Sequence, residues 1–331
     1  MELRKDPLTR SWVLTGDDIP DVVSRPGAEC RLCPGAREVQ VVSSRAPVSS
    51  GPWSARAIVH PQAIYHVEGT PERRGEGLYD RMPAVGAHEV LIQGPDHGRE
   101  LWQAEDAEIA EFLLLAAQRI ADLKGDGRFR YVSVFKNFGP GSGQEFEHPN
   151  SQLTATAFIP RRVLYELRAG LEYFKKKERC VFCDMVSQEM RSGERVIEVR
   201  GDFLALCPFA MRVPYETWVL ARVHEAAYER FALSATPARL RDLAGLLRRT
   251  LARIRHVAEA FHLVLHTAPN RSRQSSSLGY WTTLDEDYHW HIEILPILAS
   301  KPKSYSFKET YYSPVSPETA AKRLRESPIA G

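Results

Sequence analysis

The pair Cys30-Arg31-Leu32-Cys33 (CRLC) and its echo Cys180-Val181-Phe182-Cys183 (CVFC) decide how this chain is read. Each Cys-x-x-Cys is followed by spaced histidines, His97 and His148 for the first and His224 and His289 for the second. Two thiolates from such a pair form one edge of a tetrahedron, and two distant imidazoles close it around zinc. Four of the five cysteines fall in these pairs, which fits metal ligation in a reducing compartment better than disulfides. The remaining one, Cys207 in LALCPF, reads as a small buried thiol. Sites with four protein ligands leave no open position for water, so these two are expected to be structural.

Outward from the cysteines, one order of elements occurs twice. ARAIVHP (Ala55–Pro61) and HEVLIQGP (His88–Pro95) read as strands. Apolar residues at helical spacing from Glu105 to Leu123 predict a helix with an acid-loaded first turn. YVSVFKNFG (Tyr131–Gly139) and QLTATAFIP (Gln152–Pro160) are again strands, the first entering a glycine loop. After CVFC come FLALCPF and TWVLARVH, a helix over Thr236–Phe261, HLVLHTAP (His262–Pro269) and HWHIEILPIL (His289–Leu298). The expected fold is α+β, with duplicated units of antiparallel sheet and packed helices. The expected division is 1–165 and 166–331. NRSRQSSSLGYWTTLDED (Asn270–Asp287) is polar and aperiodic and reads as a loop covering a site.

Length and composition agree. A chain of 331 residues buries a sizeable core. An apolar fraction of 43% and a charged fraction of 26% are ordinary for a soluble protein. A net charge of +2 argues against a dedicated nucleic-acid binder. No run approaches 18 apolar residues, and the N-terminus lacks an apolar signal core, so the cytoplasm is the expected location.

GPDHG, KNFGPGSG, HPNSQLTATAFIP and YHWHIEILP together resemble the galactose-1-phosphate uridylyltransferase family, a branch of the histidine-triad superfamily. The resemblance runs from DPLTRSWVL to SPETAAKRLRE. It implies a transferase of carbohydrate metabolism acting on nucleotide sugars and sugar phosphates, and relatives often form homodimers. It implies a first zinc on Cys30, Cys33, His97 and His148, and a second on Cys180, Cys183, His224 and His289. Other relatives hold iron at the second site with residues matching Glu166, His266, His289 and His291, so the metal there is either. The resemblance places Asn137, Gly143 and the Arg25–Pro26 step near the nucleotide, and makes Gln152 the phosphoryl partner. His291 alternates with His289, which would let the two share a metal or turn His291 to a ligand.

Three departures stand out. Active relatives read His-Pro-His or His-Ser-His at the catalytic loop, and the second histidine attacks the α-phosphorus. Here HPNSQ puts Asn150 at that place. A carboxamide nitrogen is a very poor nucleophile because its lone pair is delocalised into the carbonyl. The family's phosphate-binding serine is replaced by Glu145, and the family's glycine-containing C-terminal loop reads SFKETYYSP (Ser306–Pro314). Glu145 and Glu147 add negative charge where a pyrophosphate would lie. They bridge a metal to the phosphate, serve as a base, mark a ligand other than a normal nucleotide sugar, or simply face solvent. The expected activity is chemistry at a phosphoryl centre without a histidine-nucleotidyl intermediate, centred on Asn150, Gln152 and Glu145. The alternatives are an inactive nucleotide-binding sensor and an inactivated His-to-Asn variant of an ordinary uridylyltransferase.

Overall fold

The computed structural model describes residues 1–16, 30–36, 39–48, 51–271, 282–299 and 311–329. Arg25 and most of the SFKETYYSP and 270–287 segments lie outside the described residues. In chain order the elements are β1 (Glu2–Lys5), β2 (Trp12–Thr15), β3 (Val41–Arg45), β4 (Ala55–Val59), β5 (Arg74–Glu76), β6 (Tyr79–Pro83), β7 (Gly86–Ile92) and α1 (Asp106–Lys124). Then follow β8 (Tyr131–Phe138), β9 (Asn150–Thr156), α2 (Arg161–Lys177), α3 (Val181–Ser192), β10 (Val196–Arg200), β11 (Phe203–Leu206) and β12 (Thr217–Ala221). The last are α4 (Tyr228–Ser234), α5 (Pro237–Arg255), β13 (Ala260–His266), α6 (Leu284–Asp287), β14 (His291–Ile297) and α7 (Pro317–Glu326).

Ten strands form one antiparallel sheet in the order β10-β11-β12-β14-β13-β8-β9-β7-β4-β3. Read outward from the β13–β8 seam, each side repeats one pattern, so β8 answers β13, β9 answers β14, and β7 answers β12. The fold is thus α+β with antiparallel sheet at its core. A second sheet of four strands, β2-β1-β6-β5, has no counterpart among the described residues of the other half. Residues 165 and 166 lie inside α2.

Alternation along the strands sorts the two faces. Leu153 and Ala155 of β9, Val132 and Val134 of β8, and Phe261, Leu263 and Leu265 of β13 join Ile109, Phe112, Leu113 and Ile120 of α1 in one large core. Asn150 and Gln152 therefore point to the opposite face. α1 has the acid-loaded first turn that its sequence predicts, and a capping box on Glu105 and Glu108. α5 begins at Pro237 with Thr236 accepting from the Arg239 amide, but it ends at Arg255 rather than Phe261. Ala260 and Phe261 are instead paired with Ile297 and Pro296. A strand needed on both edges of the seam overrides helix propensity there.

Gly139 closes β8 at φ +83°, and a Cβ at this position would stand 2.4 Å from the Glu259 carbonyl oxygen. Both the left-handed backbone and a rigid neighbour oppose a side chain. Gly139→Ala is expected to destabilise the fold by about 2–4 kcal/mol in chemical denaturation. An unchanged midpoint would contradict the crowding seen at the seam.

Candidate active site and metal centres

The first Cys-x-x-Cys lies in a turn in which the Cys33 amide bonds the Cys30 carbonyl. Cys33 Sγ is 3.4 Å from His97 Nδ1 and 3.5 Å from His148 Nδ1, and Cys30 Sγ is 3.9 Å from His148 Nδ1. A tetrahedral zinc with these donors has sulfur–nitrogen edges of about 3.6 Å. His148 Nε2 donates to the Gly94 carbonyl at 2.8 Å, which turns the Nδ1 lone pair to the thiols. Burial, then the hydrogen bond and charge of Cys30, push the Cys33 thiol up to about 11. A metal must therefore displace its proton.

The second set repeats this geometry. Cys180 caps α3 and Cys183 sits in its first turn. Cys183 Sγ is 3.2 Å from His224 Nδ1 and 3.7 Å from His289 Nδ1. His224 Nε2 donates to the Asp285 carbonyl at 2.7 Å. In each set the four ligand atoms lie within 4.8 Å of one another, and both donor sets fit a metal.

His289 and His291 do not share a centre. β14 begins only at His291, and the residues before it turn away to bond elsewhere: the Trp290 amide reaches the Glu225 carbonyl. His291 joins Glu166, His266 and Glu293 in a third, fully internal group. So the iron-type set that includes His289 is corrected, with Glu293 standing where His289 was expected. His266 Nδ1 meets Glu166 Oε2 at 3.1 Å, and His291 donates Nδ1–H to the His289 carbonyl at 3.0 Å. His291 Nε2 is buried with no hydrogen-bond partner, and Glu166 Oε1 pairs with Arg162 Nε at 3.0 Å. Burial, then the charge of His266, pushes His291 down to about 4, so its Nε2 keeps a free lone pair at neutral pH. Arg162 and Arg212 both pair with Glu293, at 3.2 and 2.6 Å.

The open face of the first half carries the candidate reaction centre. Asn150, Gln152 and Glu145 stand together there. Asn150 is buried, and its Nδ2 donates to the His148 carbonyl at 2.7 Å. Gln152 donates to Glu145 Oε2 at 3.0 Å. The glutamates part company: Glu147 is 77% exposed, whereas Glu145 is turned in. Asn137 accepts from His262 Nδ1 at 2.9 Å across the seam, and Gly143, at φ +75°, lies against Asn137.

Two residues that the sequence did not point to complete this group. His60, just past β4, and His88, on the neighbouring β7, stack with ring centroids 3.9 Å apart. The Gln62 and Ile64 amides donate to their Nδ1 atoms, so each carries its proton on Nε2. His60 donates to Glu145 Oε2 at 3.1 Å and His88 to Gln152 Oε1 at 3.0 Å. Burial raises the Glu145 carboxyl, but His60's hydrogen bond and charge, with Gln152, more than offset this and hold it below its ordinary value. His88 is pushed down to about 4 by burial and then by His60. Behind the loop, buried Lys136 donates to the Asn150 carbonyl at 3.1 Å and pairs with Glu100 at 2.8 Å.

No protein-family model matches the chain. It is 27% identical to ADP-glucose phosphorylase of Arabidopsis thaliana, over 98% of this chain and 92% of that protein. It is 25% identical to galactose-1-phosphate uridylyltransferase of Thermotoga maritima, over 99% of each. A solved uridylyltransferase superposes with a TM-score of 0.80 at 25% identity, covering 98% of this chain and 97% of that one. The Arabidopsis thaliana ADP-glucose phosphorylase with bound ADP-glucose superposes at 0.75 and 25% identity, covering all of both chains. From end to end, in sequence and in fold, the chain is similar to galactose-1-phosphate uridylyltransferases and to ADP-glucose phosphorylase.

Proposed function

We propose that this chain is an enzyme acting at a phosphoryl centre of a nucleotide or nucleotide sugar by one in-line displacement, with Glu145 as the base. The relatives' named activities on nucleotide sugars and sugar phosphates support the substrate class. The observation that carries the mechanism is the hydrogen-bonded row His60–Glu145–Gln152–His88 beside an asparagine that cannot attack.

Both bonds to Glu145 use Oε2, which leaves Oε1 to accept a proton from an attacking group. An ionised carboxylate about 5 Å from a phosphate is repelled by about 3 kcal/mol at an effective dielectric of 20. That repulsion lifts the carboxyl's proton affinity once substrate is bound and is relieved as the proton arrives. Gln152 Nε2, with a second hydrogen to spare, then binds a phosphoryl oxygen. Asn137, Gly143 and Arg25 are assigned to the nucleotide.

Zinc is assigned to the two sulfur–nitrogen sets, where it would brace the loop through His148 and the second half through His289. Iron is assigned to the Glu166, His266, His291 and Glu293 group, whose imidazole and carboxylate donors, with the unpartnered His291 Nε2, suit a metal. The division at 165 and 166 is retained as the point where one copy gives way to the other.

Turnover of UDP-glucose and ADP-glucose with a phosphorus-chiral substrate tests the mechanism. Inversion at phosphorus is expected, and retention would sink the single displacement. A second reading, a nucleotide-binding module without catalysis, is favoured by Asn150 bonding back to its own loop. Binding across the panel with no turnover of any member would establish it.

A further inference from the structure

At the junction of the small sheet and α2, away from the candidate reaction centre, lies a cavity of about 320 Å³. Lys5, Arg10, Arg73, Arg130, Arg161 and Arg168 line it, and among the described residues that line it there is no carboxylate. β9 carries Asn150 at one end and leads at the other into Ala157 and Phe158 of this cavity, a distance of roughly 23 Å at the strand rise.

Three observations show that the pocket concentrates positive charge. Lys5 and Arg73 both approach the Trp12 ring, at 5.7 and 5.3 Å from its centroid, and Lys5 has an ion pair with Asp80 at 3.2 Å at the rim. Burial and then the charge of Arg73 lower the proton affinity of Arg130, so two guanidinium groups work against each other. α2, a helix of 17 residues with no acid in its first turn, starts at the cavity, and its free amides add the positive end of the helix dipole.

The backbone fixes where Arg10 stands. The β1–β2 loop is closed by Asp6, which accepts from the Leu8 and Thr9 amides. Arg10 completes it at φ +59°, a conformation that favours glycine. A long cationic side chain thus occupies a place where a Cβ is a burden, and it lines the cavity.

We propose that this cavity is a second anion site that binds a compact polyphosphate of the di- or triphosphate class. Guanidinium groups converging from several elements match phosphate oxygens in paired hydrogen bonds, and their number exceeds what one orthophosphate neutralises. Binding should weaken as ionic strength rises.

Calorimetry on the full chain tests this with pyrophosphate, tripolyphosphate and orthophosphate. Pyrophosphate and tripolyphosphate are expected to bind more tightly than orthophosphate. The double variant Arg73→Ala with Arg168→Ala should lose roughly tenfold or more in affinity. Arg10→Gly should bind more weakly yet melt at a higher temperature, which separates loss of the site from loss of the fold. Gln152→Ala, in the reaction centre, should bind as the parent does. The proposal is overturned by three results: no polyphosphate binding, equal affinity in the pocket variants, or binding abolished by Gln152→Ala.

Discussion

Glu145→Gln is expected to lower kcat on a productive nucleotide sugar by about 10²–10⁴-fold, the usual contribution of a positioned general base. KM should stay level or fall. Glutamine keeps an oxygen that accepts from His60 and Gln152, so the loop is preserved. It also removes the repulsion of about 3 kcal/mol between carboxylate and phosphate. Opposite movement of the two constants marks a base; a kcat within threefold of the parent, by steady-state assay, would reduce Glu145 to a loop brace. The acid limb of kcat/KM has a fixed sign. As the proposed base Glu145 works deprotonated, and His60 and Gln152 hold its carboxyl below the ordinary range despite burial. Activity governed by this group should therefore persist through mildly acidic pH and fall only below the usual glutamate range.

Loss of a metal should cost more in stability than any single core substitution. In Cys183→Ser the sulfur that meets both His224 and His289 is gone. Apparent zinc affinities of about 10–16 kcal/mol in small domains set the scale, and in this larger fold a loss of about 5 kcal/mol or more is expected. Elemental analysis should find zinc falling from two per chain to one. A metal that survives Cys183→Ser and leaves with His266→Ala would belong to the Glu166 group. A parent chain free of zinc would remove the basis of both sulfur sites.

The sulfur–nitrogen sets were legible because Cys-x-x-Cys is a local signal and the histidines recur in matching order. Long amphipathic segments such as α1 and the apolar strands β8, β9 and β13 were legible for the same reason: the pattern repeats within one element. The end of α5 was not, since nothing local in HVAEAF tells that Ala260 pairs with Ile297. His60 and His88 were hidden for another reason. His60 follows β4 and His88 lies within β7, both ordinary strands, and only the His60 amide bonding the His88 carbonyl stacks them. Their bonds to Glu145 and Gln152 span 85 and 64 residues of chain. Whether two glutamates share one loop face was equally unreadable; geometry sent Glu147 to water and Glu145 inward.

The mirrored halves carry unequal fates. His148-x-Asn150-x-Gln152 in one is answered by His289-x-His291-x-Glu293 in the other. The half that kept an imidazole at the middle place has sealed it: His291 is wholly enclosed, stacked on His266 at 4.6 Å and Trp218 at 5.2 Å, with α2 laid across it through Glu166. No substrate can reach that ring without peeling the helix away. Among the described residues, the twin of the proposed reaction strand is thus walled in and serves as a keystone.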